Sequence, residues 1–124
     1  MKLNQITISV TDIPKSVAFY EGLGIKLIVL SPHYARFIVP ENEATFSIHL
    51  AELVCSTTTI YFEMESENAL NEKVNNLESK GYVFSVQPKM QTWLWYEAYL
   101  NDSDGNIICF YFAGENRLNP PWRI

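Results

Sequence analysis

The strongest constraint on how this chain can fold is a hydrophobic pattern that restarts halfway along it. Leu3 to Val10 alternates, with Ile6, Ile8 and Val10 on one face and Gln5, Thr7 and Ser9 on the other, which is the period of a half-buried strand. Asp12 can cap a helix, Pro14 is tolerated in its first turn, and Ile13, Val17 and Tyr20 share one helical face. That helix is predicted to stop near Gly22-Leu23-Gly24. Strands are predicted over Ile25–Leu30, Tyr34–Val39 and Thr45–Ala51, separated by Pro32 and by Pro40-Glu41-Asn42-Glu43.

The same order then returns. Thr57 to Met64 alternates, Ser66 can cap a second helix, and Leu70, Val74 and Leu77 form an apolar stripe that ends at Lys80-Gly81. Tyr82 to Val86 reads as a strand interrupted by Pro88, and Trp93–Leu100 with Asn106–Phe112 reads as a hairpin. Its turn is Asp102-Ser103-Asp104-Gly105, where glycine can take positive φ. Ile6–Val10 lies over Ile60–Met64 at an offset of 54, Gly24–Val29 over Gly81–Val86 at 57, and Ile48–Leu50 over Ile108–Phe110 at 60. Identity is poor, but three matches in order indicate an internal repeat, βαβββ twice. Module one covers about 1–51 and module two about 57–113. A tail of 114–124 has no period, and its Trp122 is expected to anchor on the body or on a partner.

Bulk properties narrow the function classes. Nine basic residues against 14 acidic give a net charge of −5, which disfavours a phosphate-backbone partner and is compatible with a cationic ligand. No apolar run approaches membrane-spanning length, and the first residues do not form a signal peptide. Cys55 and Cys109, without CxxC spacing, suggest reduced thiols in a cytoplasm.

Ile8-Ser-Val-Thr-Asp12 with Ser16, Phe19-Tyr20 and Leu23-Gly24, together with Leu100-Asn-Asp-Ser-Asp-Gly-Asn106, resembles the vicinal oxygen chelate superfamily of glyoxalases, bleomycin resistance proteins and extradiol dioxygenases. Ser103 stands where the family's usual turn has proline. The resemblance implies an α+β fold in which two βαβββ modules form a curled, cup-shaped mixed sheet with helices on its outer face. Ile6, Ile8, Val10, Ile60, Phe62 and Met64 are then expected under the helices, with Ile108 and Phe110. The opposite parity lines the cup: Gln5, Thr7, Ser9, Ser47 and His49 from module one, and Thr59, Tyr61, Glu63, Glu97, Tyr99, Cys109 and Tyr111 from module two.

Metal-dependent relatives hold a divalent ion at positions that fall here on Gln5, His49, Thr59 and Cys109. Thr59 and Cys109 replace stronger oxygen and nitrogen donors, so no metal or other cofactor is expected. Cys109 alternatively reads as a small buried apolar residue.

Trp93, Trp95, Tyr96 and Tyr99 form an aromatic cluster that suits either a flat or cationic ligand or a subunit interface. His49 and Glu97 have the residue types of an acid–base pair, with a hydrogen-bonded pair in a wet pocket as the simpler reading. His33 is expected on the surface, and the pattern does not decide whether Arg36 faces the lining or solvent.

Three functions stay open. One is a metal-independent small-molecule binding protein resembling bleomycin resistance proteins, with its ligand in the cup or a dimer groove. Another is a glyoxalase- or dioxygenase-like enzyme, either metal-dependent or working through His49 and Glu97. The last is an assembly module. A homodimer is expected under each.

Overall fold

The computed structural model describes every residue, Met1–Ile124. The chain divides into two compact units. The first comprises Met1–Thr58 together with Asp102–Asp104, and the second Thr59–Asn101 with Gly105–Ile124.

In the first unit the order is β1 (Gln5–Val10), α1 (Ile13–Gly22), β2 (Lys26–Ser31), β3 (Tyr34–Ile38) and β4 (Thr45–Leu50), with sheet order β1-β4-β3-β2. β1 runs parallel to β4, and the other pairs are antiparallel. Asp12 caps α1 as its composition predicts, its Oδ1 accepting from Lys15 N–H at 2.9 Å. Gly24 takes a φ of 107° after the helix, a conformation that lacks steric cost only for glycine. α1 buries Ile13 and Tyr20 against the sheet. The Tyr20 ring lies 4.7 Å from that of Phe46, and Phe46 stacks on Phe37 at 5.7 Å. The Tyr20 hydroxyl donates to Asp102 Oδ2 at 2.6 Å, and Thr11 Oγ1 donates to Asp104 Oδ1 at 2.5 Å. These bonds make the Asp102–Asp104 turn part of the first unit. Burial, and then the Asp102 carboxylate, push the Tyr20 phenol well above its usual pKa, so it remains a donor.

In the second unit the order is β5 (Thr59–Glu63), α2 (Glu67–Ser79), β6 (Phe84–Met90), β7 (Tyr96–Asn101) and β8 (Ile107–Phe112), followed by a short 3₁₀ turn at Gly114–Arg117. The sheet order is β5-β8-β7-β6, with β5 parallel to β8. Ser66 caps α2 by accepting from Ala69 N–H, and Leu70, Val74 and Leu77 are all fully buried. Burying each such side chain contributes about 1.5–3 kcal/mol before entropy is counted. The two-module α+β architecture expected from the repeat is the one observed. No helix is long and apolar enough to cross a membrane.

Four local expectations need correction. β6 runs through Pro88 instead of stopping before it, because β6 is an edge strand where a missing N–H is tolerated, and its register shifts between Val86 and Lys89. Residues 93–95 are not strand: backbone bonds Gln91 N–H to Trp95 O and Leu94 N–H to Gln91 O close a turn in which Leu94 adopts φ 66°. Ile6 is 37% exposed instead of lying under a helix, and Phe62 and Met64 are only half-buried. The tail's Trp122 is 56% exposed in the single chain, so it is not anchored on the body.

The pairing also revises the repeat. Thr7 pairs with Ser47 and Ser9 with His49, whereas Tyr61 pairs with Cys109. Offsets of 54 for the first strand and 60 for the last therefore differ by one rung from a constant register. A two-residue slip preserves parity, so every residue keeps its face.

Candidate functional site

In the second unit the polar parity gathers on one face. Three register rows cross β5, β8 and β7: Thr59–Ile107–Asn101, Tyr61–Cys109–Tyr99 and Glu63–Tyr111–Glu97. At the centre is Glu97, fully buried although ionisable. A buried carboxyl is tolerated only when its oxygens find donors. Trp93 Nε1–H donates to Oε1, the Tyr99 hydroxyl donates to Oε2, and the Cys109 thiol approaches Oε2 at 3.7 Å. The left-handed Leu94 lies in the turn that delivers Trp93 to this bond.

Aromatic rings surround this hub. Trp95 stacks on Tyr111 with centroids 4.4 Å apart and planes at 14°, and Tyr61 meets both edge-on at about 6 Å. Tyr61 and Trp93 remain substantially exposed, at 51% and 44%, so they present open ring faces. Tyr96 is not part of the cluster. One residue out of step with Glu97, it turns to the opposite face and donates to Asn71 Oδ1 of α2 at 2.7 Å. At the rim, Glu63 accepts from the Tyr111 hydroxyl at 3.0 Å and pairs with Arg117 Nε at 3.2 Å. Arg117 belongs to the tail, whose sequence shows no period to signal this partner.

The phenols and the thiol here are held protonated. Burial first, then the negative charge of Glu97, push the Cys109 thiol up to about 12. Burial, followed by Glu63, takes the Tyr111 phenol to about 12, with Arg117 opposing. Tyr99 is raised further by burial and by its bond to Glu97, and Tyr61 is raised chiefly by burial. At neutral pH this face therefore offers a carboxyl hub, three neutral phenols and a neutral thiol.

The corresponding face of the first unit differs. Its rows are Gln5–Thr45–Ile38, Thr7–Ser47–Arg36 and Ser9–His49–Tyr34. Thr7 and Ser47 hydroxyls are 2.7 Å apart, Ser9 Oγ is 2.9 Å from His49 Nε2, and Thr45 Oγ1 donates to Gln5 Oε1 at 2.8 Å. Arg36 Nε donates to the Tyr34 hydroxyl at 2.8 Å, placing Arg36 on this face and answering a question the sequence pattern leaves open.

The residues at the family's metal positions do not suit a divalent ion. Gln5 Oε1 accepts from Thr45, His49 Nε2 lies 2.9 Å from Ser9 Oγ, Thr59 offers only a hydroxyl, and Cys109 is a buried neutral thiol bonded toward Glu97, so His49 is the one strong donor of the four. No group of three or more His, Cys, Asp or Glu side chains is placed to hold an ion. Borderline and hard cations need thiolate, imidazole or carboxylate donors in such a set.

Comparison with known proteins now bears on this geometry. The family model for the Glyoxalase/Bleomycin resistance protein/Dioxygenase superfamily matches residues 2–110. The chain is 26% identical to a trivalent organoarsenical cleaving enzyme of Bacillus sp. (strain MD1), over 98% of this chain and 81% of that protein. It is 25% identical to a probable trivalent organoarsenical cleaving enzyme of Bacillus subtilis (strain 168), over 94% of this chain and 83% of that one. Among solved structures, a glyoxalase/bleomycin resistance protein/dioxygenase from Nocardioides superposes with a TM-score of 0.80 at 19% identity, covering all of this chain and 89% of its own. A lactoylglutathione lyase from Agrobacterium tumefaciens superposes at 0.78 with 12% identity, covering 90% and 92%. Identities this low support a shared fold.

Proposed function

This chain belongs to the glyoxalase/bleomycin resistance protein/dioxygenase superfamily, and from that premise we propose that it binds a small, flat, cationic molecule on the β5–β8–β7 face without a metal ion. The observation that carries this reading is Glu97, a fully buried carboxyl held by Trp93 and Tyr99 beneath exposed aromatic faces. A cation stacked on Tyr61 and Trp93 gains from the ring quadrupoles and from the negative charge of Glu97 behind them. Glu63 and Tyr111 border the site, and the net charge of −5 favours cation approach. Glu97 does not touch the ligand while Trp93 covers it. Its part is to hold Trp93 and Tyr99 in place and to supply charge.

A thermal-shift screen of aromatic quaternary ammonium compounds, run in chelator, tests this. Stabilisation of the native chain, reduced in Glu97→Gln, is the expected result. An absence of stabilising ligands, with binding or turnover only after a divalent metal is added, overturns the reading.

The similarity to organoarsenical cleaving enzymes favours a second reading, an enzyme of this superfamily in which His49 and Glu97 supply acid–base groups. An assay for trivalent organoarsenical cleavage, with His49→Ala and Glu97→Gln, separates the two. Turnover lost in both variants supports the enzyme, and no turnover with or without metal removes it.

We further expect a cytoplasmic homodimer. The free Cys55 and Cys109 and the exposed apolar edge residues Ile28 and Leu30 of β2 support this setting. Sedimentation equilibrium at micromolar concentration checks the oligomeric state, and a monomer throughout would contradict it.

A further inference from the structure

The first unit's sheet face carries a guanidinium that nothing in the chain neutralises. Arg36 is half-buried on β3, and its single side-chain hydrogen bond runs from Nε to the Tyr34 hydroxyl. Its guanidinium carbon lies 5.5 Å from the centroid of the Tyr34 ring, so the group is held by its own strand neighbour two residues away. The two terminal guanidinium nitrogens keep their donors free. Across the sheet, Arg36 is in register with fully buried Ser47, which is in register with Thr7. His49 stands one rung away, between Ser9 and Tyr34.

None of the twelve side chains in register on this face of β1, β4, β3 and β2 is acidic, although acidic residues outnumber basic ones in the chain. The one other fixed charge among them is exposed Lys26, in register with Ile38. A fixed guanidinium with free donors, beside hydroxyls and an imidazole and with no carboxylate, has the chemistry of an anion receptor. The Ser47 hydroxyl and, with it, Arg36 also lower the pKa of Tyr34, which makes its phenol a stronger donor.

We propose that this face binds a small oxyanion, with the terminal nitrogens of Arg36 gripping a carboxylate, phosphonate or phosphate group and Thr7, Tyr34 and His49 supplying further hydrogen bonds. The site does not rest on the Glu97 reading and stands if that reading fails. Because Arg36 is already held by Tyr34, little side-chain freedom is lost on binding, which separates this arginine from a solvated surface cation.

The test is calorimetric titration of the full chain at low ionic strength with inorganic phosphate and with phenylphosphonate. Saturable binding is expected. Arg36→Ala weakens it at least about tenfold, as loss of charge-assisted bonds predicts. Arg36→Lys falls between, since an ammonium cannot make the fork, and Lys26→Ala changes little. Circular dichroism and melting curves identify any variant that fails to fold, and Arg36→Lys keeps the charge should Arg36→Ala be lost. Binding of inorganic phosphate over phenylphosphonate assigns the site to a free anion, and the reverse assigns it to the anionic end of a larger molecule. No saturable binding of either, or equal losses in Arg36→Ala and Lys26→Ala, overturns the proposal.

Discussion

In the first unit the row Thr7–Ser47–Arg36 crosses β1, β4 and β3, and in the second the row Tyr61–Cys109–Tyr99 crosses β5, β8 and β7. Topology and parity are the same in both, yet the side chains are not. The first face is a ladder of hydroxyls in which Thr7 meets buried Ser47, Ser9 meets the His49 imidazole, and the Arg36 guanidinium is held by Tyr34. The second is aromatic and organised on a buried carboxyl, with Arg117 already paired with Glu63 and exposed Lys89 of β6 in register with Glu97. A repeat can therefore conserve backbone hydrogen bonding and core while its exposed parity diverges in charge. The face under the helices is mainly apolar, whereas the polar parity answers to whatever it meets.

The comparison breaks most visibly at Glu97 and His49. Glu97→Ala leaves the Trp93 and Tyr99 donors without their acceptor and should cost about 2–4 kcal/mol in urea denaturation. His49→Ala, at an exposed position bonded to Ser9, should stay within about 0.5 kcal/mol of wild type. Similar costs at both positions would mean that the second face has no organising hub.

Alkaline pH sharpens the contrast next. Cys109 is raised from an ordinary 9.0 to about 12 and Tyr111 from 10.0 to about 12, so folding favours their protonated forms. Stability from these groups is complete below the unfolded-state values. It is lost as pH rises from about 9 toward 12, because the unfolded chain ionises first. A pH series of urea midpoints should decline across that window. Cys109→Ala should flatten its lower end, and an unchanged profile in that variant would contradict the buried neutral thiol.

The smallest effect belongs to the rim. Glu63 and Arg117 are each close to half exposed, so Arg117→Ala should change stability by no more than about 1 kcal/mol, and less at high salt. A larger loss would show that the tail closes the second face structurally.

Strand alternation alone marks the two faces, because parity survives even the one-rung slip between the repeats. Helix caps at Asp12 and Ser66 were legible because each acts over three residues. Bonds that span the chain were not legible. Tyr20 reaches Asp102 across 82 positions, and Arg117 meets Glu63 through a tail with no pattern. Tyr96 reads in sequence as one cluster with Trp93, Trp95 and Tyr99 because proximity conceals parity, and only the start of β7 shows it facing α2. Glu97 was legible as an inward residue but not as a fully buried one. The Trp93 that bonds it sits in a turn with Leu94 at positive φ, which few non-glycine residues adopt.

The central claim, that two equivalent faces carry opposite ligand chemistry, is tested most directly by amide chemical-shift mapping of the metal-free chain with two probes. Benzyltrimethylammonium should perturb residues around Tyr61, Glu97 and Tyr111 and leave the first face unmoved. Phenylphosphonate should perturb Thr7, Arg36 and Ser47 and leave the second unmoved. Both probes shifting the same residues, or neither shifting any, would contradict the account.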